Sequence, residues 1–254
     1  MSDFDVALRG FAALDEEALS RPWSWRDTAM DVRFALYRTL EDAQETYARL
    51  SSARYPESRR ILALAQRAFG DLCGLLTGLP ADLLDRVPRA GEWSLRETLR
   101  HILLVERRYA VQTRYALDRK DSEPVRIPDD RQPTVTAKDL EGEVGTILAR
   151  IGAARADTNQ WLGDVGSPAM SRPTVWVGLD VDVRFRLHRF AAHLVEHTIQ
   201  IEKSLARLGW PPTEGRRIAR HVAGAIAEIE GLGAVADARE LEARLAERYA
   251  SIGV

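Results

Sequence analysis

Apolar residues recur along most of the chain at every third or fourth position, while the alternation of a half-buried strand is nearly absent. This pattern predicts an all-α protein. The periodic stretches lie at about 4–18, 25–51, 58–78, 94–119, 136–163, 181–208, 214–230 and 236–251. Clusters of Gly and Pro separate them: Pro80, Pro88 to Gly91, Pro124 to Pro133, Gly166 to Gly178, and Gly209 to Pro212. The four central stretches are long enough for a four-helix bundle with crossover connections, and further helices are added at both ends. Near the N-terminus Phe4, Leu8, Phe11, Trp25, Val32, Leu36 and Leu40 would expose too much apolar surface on a free linker. Residues 1–55 are therefore expected to pack as helix onto the rest.

Two short stretches resemble each other. Pro22-Trp23-Ser24-Trp25-Arg26-Asp27-Thr28 and Glu92-Trp93-Ser94-Leu95-Arg96-Glu97-Thr98 each place an acid three residues after a Ser, the capping box that opens a helix. Chance produces such pairs readily, and no duplication is inferred from this one.

The 254 residues suffice for a continuous hydrophobic core. The 36 basic and 38 acidic residues are interleaved and leave a net charge of −2, which argues against a nucleic-acid or anionic-membrane surface. Cys73 is the single cysteine, so no intramolecular disulfide can form, and Leu72, Leu75 and Leu76 around it suggest a packed thiol. Met1-Ser2-Asp3-Phe4-Asp5 lacks the basic-then-apolar order of a signal peptide, and no apolar run approaches a bilayer span. The expectation is a cytoplasmic protein acting on a small molecule.

Candidate chemistry sits in His193-Leu194-Val195-Glu196-His197. Two histidines one helical turn apart leave from one helix face and can share a metal ion. His101, early in another predicted helix, offers a third imidazole and would leave coordination positions open, as in a reactive rather than a structural site. The heptad series Val183, Phe190, His197 sets His197 in the apolar stripe, with His193 and Gln200 at its edge. Spacing alone leaves metal ligands and ordinary core-edge histidines both open.

Three separated pieces resemble the DinB/YfiT-like superfamily of four-helix-bundle metalloproteins. Gly91 to His101 is similar to the family's Trp-Ser helix opening with a histidine two turns in. His193-Leu194-Val195-Glu196-His197-Thr198-Ile199-Gln200 resembles its His-x3-His-x2-Gln, and Leu205 to Pro212 its helix exit. The resemblance covers about residues 58–212, with 1–57 and 213–254 as N- and C-terminal helical extensions. It implies that His101, His193 and His197 form a metal triad for Zn²⁺, Ni²⁺ or Fe²⁺. It also implies a metal-dependent transferase joining a low-molecular-weight thiol cosubstrate to an electrophile, or a hydrolase using the same site. A mycothiol-dependent isomerase fits less well, because the tail reads as two amphipathic helices and not as an α/β domain.

Around the triad, Glu97 lies one turn before His101 and is a candidate base or orienter as well as a capping-box acid. Gln200 is a candidate partner for a metal ligand or substrate. Glu196 points away from the histidine direction and reads as a surface charge or a base. Trp93 and Trp176 read as core or pocket wall, and His188 and His221 as non-ligands. Two other functional readings remain. One is a non-enzymatic interaction or stress-response module, with the helix around Leu36 and Leu40 covering the bundle or building a homodimer interface. The other takes His193 to His197 as the His-x2-Glu-His zinc motif of inverzincin peptidases, which needs a distant Glu ligand and a large mixed sheet.

Overall fold

The computed structural model describes residues 2–253. Helix α1 (Asp3–Ala13) and the single turn α2 (Glu16–Leu19) lead into a hairpin of β1 (Pro22–Trp25) and β2 (Thr28–Asp31), followed by α3 (Val32–Ser51). Then come α4 (Glu57–Leu76), α5 (Leu95–Asp118), α6 (Val144–Leu162) and the single turn α7 (Ser167–Met170). A second hairpin of β3 (Pro173–Trp176) and β4 (Leu179–Asp182) runs into α8 (Val183–Arg207), and α9 (Glu214–Gly231) and α10 (Val235–Ser251) close the chain. None of these helices is long and apolar enough to cross a membrane.

The helices sort into two four-helix bundles, each with its own core. In one, α4, α5, α6 and α8 enclose Leu72, Leu75, Leu99, Ile102, Ile151 and Leu194. In the other, α1, α3, α9 and α10 enclose Phe11, Leu36, Val222, Ile226, Leu241 and Leu245. The segments expected as two separate extensions thus meet, and each buries the other's apolar stripe.

Several expected boundaries move for local reasons. The helix expected from residue 25 starts at Val32, because Arg26 and Asp27 adopt left-handed φ of 49° and 63° and close a tight hairpin turn. Ser24 lies in a strand and caps nothing, whereas Ser94 and Glu97 do form their capping box. Asp31 is the true cap of α3, accepting from the Phe34 amide at 3.0 Å. Ala137–Leu140 form a separate 3-10 turn, and Gly142 at φ 97° interrupts the helix before α6 begins.

A real internal repeat lies elsewhere than in the pair at 22–28 and 92–98. Ser20-Arg21-Pro22 through Asp31-Val32-Arg33-Phe34 recurs as Ser171-Arg172-Pro173 through Asp182-Val183-Arg184-Phe185, at a constant shift of 151 positions. The structure repeats with it. Pro22 pairs with Asp31 as Pro173 pairs with Asp182, and the second turn has φ 46° at Val177 and 83° at Gly178. Helix α9 likewise opens Glu214-Gly215-Arg216-Arg217-Ile218 where α4 opens Glu57-Ser58-Arg59-Arg60-Ile61.

The bundles join along antiparallel α4 and α9, where glycines let the backbones approach. A Cβ on Gly74 would stand 2.7 Å from Arg220 Cα, and one on Gly231 would stand 2.8 Å from Ala63 Cα. These two contacts are the same contact seen from either side of a pseudo-twofold, because Gly74 corresponds to Gly231 and Ala63 to Arg220. Cys73 lies partly buried against this region, and burial pushes its thiol up to about 12, so it carries no thiolate at neutral pH.

Candidate metal centre

Helix α5 is started by the Ser94 cap, and His101 follows in its second turn. Helix α8 is started by Asp182, whose carboxylate accepts from the Phe185 amide at 2.8 Å, and carries His193 and His197 one turn apart. Packing of α5 on α8 brings the three rings together. Their centroids are 4.4–5.1 Å apart, His193 Nε2 lies 3.1 Å from His101 Nε2, and one ring nitrogen from each fits within 4.8 Å of the others.

The surroundings keep two of the three rings unprotonated. His193 is buried, and desolvation followed by the charges of His197 and His101 pushes it down to about 3. Burial lowers His101 as well, reinforced by His197 and Arg108. Both are therefore neutral imidazoles at ordinary pH, each with a lone pair to offer. His197 Nδ1 donates to Gln200 Oε1 at 2.9 Å, which fixes the tautomer and leaves Nε2 as the ligating nitrogen. A set of three imidazole nitrogens could hold one Zn²⁺, Ni²⁺ or Fe²⁺ and leave further positions unfilled by protein.

The histidines form one wall of a cavity of about 750 Å³. Tyr109, two turns beyond His101 on α5, packs edge-on to His193 at 5.6 Å and to Trp176 at 5.2 Å. Trp176 comes from the second hairpin and forms the opposite wall, and the hairpin tip at Val177 reaches the mouth. Trp93 packs on the His101 ring at 5.2 Å but does not line the cavity. Arg108, Arg126, Arg186 and Arg189 line it against a single acid, Glu196.

The depth of His193 and His197 is the reverse of that expected: His193 is buried and His197 is partly exposed. The stripe turned toward α5 runs through Arg186 and Phe190 to His193, which seats His193 deeper. Glu97 faces solvent, and its Oε2 accepts from the Ser94 amide at 2.8 Å and Oγ at 3.0 Å, outside the cavity lining. Glu196 lines the cavity and pairs with Arg189 at 3.1 Å. His188 and His221 are exposed and stand apart from the cluster.

Sequence reasoning did not single out Tyr109, Gln112, Arg186 or Arg189. The signal for Arg186 was present, a charged residue in the apolar stripe of α8. The peptidase reading lacks its frame, since the sheets among the described residues are two two-stranded hairpins and no carboxylate joins the histidines.

No curated protein matches the chain. The DinB superfamily pattern matches residues 64–201, a span holding α5, α6, His193, His197 and Gln200. That span is more than half of the 254 residues and contains the whole histidine cluster, so the chain belongs to the DinB superfamily.

Proposed function

We propose that this protein is a divalent-metal-dependent enzyme that transfers a low-molecular-weight thiol to an electrophile. The observation that carries this reading is the convergence of three imidazoles, within 4.8 Å, on a cavity sized for a small molecule. His101, His193 and His197 would hold the ion. A bound divalent ion would lower the thiol pKa, so that a thiolate is present at neutral pH.

The chain's own residues supply the rest. Gln200 holds the His197 ring through Nδ1. Tyr109 and Trp176 wall off water and narrow the space in which the two reactants meet. Attack of sulfur on the electrophilic carbon forms the C–S bond, the bond to the leaving group breaks with its electron pair, and the thiol proton is released to solvent. Glu97 is assigned to the helix cap and not to proton transfer, because both of its short hydrogen bonds go to Ser94.

Elemental analysis of protein purified without chelators tests the metal, with about one ion per chain expected. Thermal shifts of the loaded protein with bacillithiol, mycothiol and glutathione then test the thiol. A chain that takes up no divalent ion, or a loaded chain indifferent to all three thiols, would overturn the reading.

A further inference from the structure

Arg186 is 3 % exposed and lies two turns before His193 on α8, about 10 Å away along the helix axis. Two of its five N–H groups are used, both on neutral acceptors: Nη1 donates to the Val175 carbonyl at 3.1 Å and Nη2 to Gln112 Oε1. The guanidinium lies over the rings of Tyr109 at 5.3 Å and Trp176 at 5.6 Å. Among the described residues no carboxylate comes within ion-pair distance of it. Of the other buried arginines, Arg155 is paired with Glu106 at 2.8 Å, while Arg119 and Arg216 donate to backbone carbonyls and line no part of this cavity. A buried cation without a counterion is costly, and proteins normally pair it or remove it.

The repeat indicates that the scaffold does not require this arginine. At the shift of 151 positions Arg186 corresponds to Ala35, whereas Arg189 and Glu196 correspond to Arg38 and Glu45, which also pair. Arg186 is thus peculiar to the bundle with the histidines. Arg108 and Arg126 add further positive charge to the same cavity.

We propose that the ligand of this cavity carries a carboxylate that pairs with Arg186 while its reacting end lies against the three histidines. The proposal rests on the thiol reading for the identity of the reacting end, but the anion subsite stands or falls by itself. A guanidinium backed by two aromatic faces presents its edge to a carboxylate in a fixed orientation, so the pair would set both affinity and register.

Calorimetry on the Zn²⁺-loaded protein with three probes separates the two ideas: glutathione, its diethyl ester, and the sulfur-free tripeptide γ-Glu-Ala-Gly. Glutathione is expected to bind roughly tenfold or more tightly than its ester. Arg186→Met should abolish that preference while metal content stays unchanged, and Arg186→Lys should keep part of it. Equal binding of acid and ester by the wild type, an undiminished preference in Arg186→Met, or no binding of any carboxylate probe at millimolar concentration overturns the anion subsite. If the sulfur-free tripeptide binds as well as glutathione and both depend on Arg186, the subsite stands and the thiol reading fails. Melting of the ligand-free variants supplies a readout a purely structural arginine would answer differently. Arg186→Met should melt at or above the wild-type temperature, and a fall of several degrees would assign Arg186 to the scaffold.

Discussion

The two bundles are one design used twice, and they differ where the chemistry is. Both tie the start of the helix after the hairpin to the start of a seam helix, by Arg184 and Glu57 at 2.6 Å and by Arg33 and Glu214 at 2.5 Å. Both stack an arginine on the hairpin tryptophan, Arg189 on Trp176 at 4.7 Å and Arg38 on Trp25 at 5.1 Å. At the positions of His193 and His197, however, the other bundle has Asp42 and Thr46. Asp42 is buried and clamped by Arg38 and Arg248, each at 2.5 Å, with Arg244 at 3.5 Å. One cavity thus concentrates lone pairs, whereas its smaller counterpart, of about 380 Å³, is lined by a salt-bridge cluster. What the bundles share holds the fold, and what they do not share marks the site.

The largest effect should come from the histidines. His193→Ala removes one of three ligands and should bring bound metal from about one ion per chain to near zero by elemental analysis after gel filtration. Asp42→Asn, at the matching place, should leave metal content unchanged and instead cost about 3 kcal/mol in urea unfolding, because it removes the buried charge with which the partly buried Arg38 and Arg248 pair. A metal loss in Asp42→Asn comparable to that in His193→Ala would show that the bundles are not functionally separate.

The same cluster predicts a pH dependence. Burial pushes the Asp42 carboxyl up, but its hydrogen bond and charge pairing with Arg248, joined by Arg38, outweigh this and hold it below the usual range. A depressed folded pKa gives stability that is complete above the ordinary carboxyl value of about 4 and lost as pH falls through the folded value. The gap between wild type and Asp42→Asn should therefore close on acidification below about pH 4. A gap that stays constant to lower pH would exclude ionisation as its source.

Gly74→Ala and Gly231→Ala probe the seam itself. Each new methyl meets backbone across the pseudo-twofold, so each should cost about 1–3 kcal/mol, by similar amounts. A large cost from one and none from the other would break the symmetry of the packing. The smallest effect is expected from Glu97→Gln: within about 0.5 kcal/mol in stability, with unchanged metal content and turnover, since Gln largely preserves the cap. A loss of turnover with metal retained would return Glu97 to the mechanism.

The long helices were legible because each buries a stripe at helical spacing and several carry caps. The hairpins were not, since four-residue strands with partly exposed faces show no useful alternation, and Ser24 with Asp27 imitates a capping box that Ser94 and Glu97 really form. That imitation also directed attention to the wrong repeat, although Asp-Val-Arg-Phe stands in the chain twice. The histidine pair and its third partner could be read from spacing and family resemblance. Arg186 was visible only as a charge in the apolar stripe of α8, because its meaning depends on which helix faces it and on the absence of an acid there.

Because α1 to α3 find their bundle partners only in α9 and α10, the order of synthesis matters to the folding of this chain. The histidine bundle is contiguous in sequence, from α4 to α8, and can assemble from its own helices as they emerge. Helices α1 to α3 are made before the histidine bundle and must hold Leu8, Phe11 and Leu36 in solution until α9 and α10 arrive after it. A nascent chain arrested before α9 would carry a formed histidine cavity beside an unpaired apolar stripe, a state open to capture by chaperones.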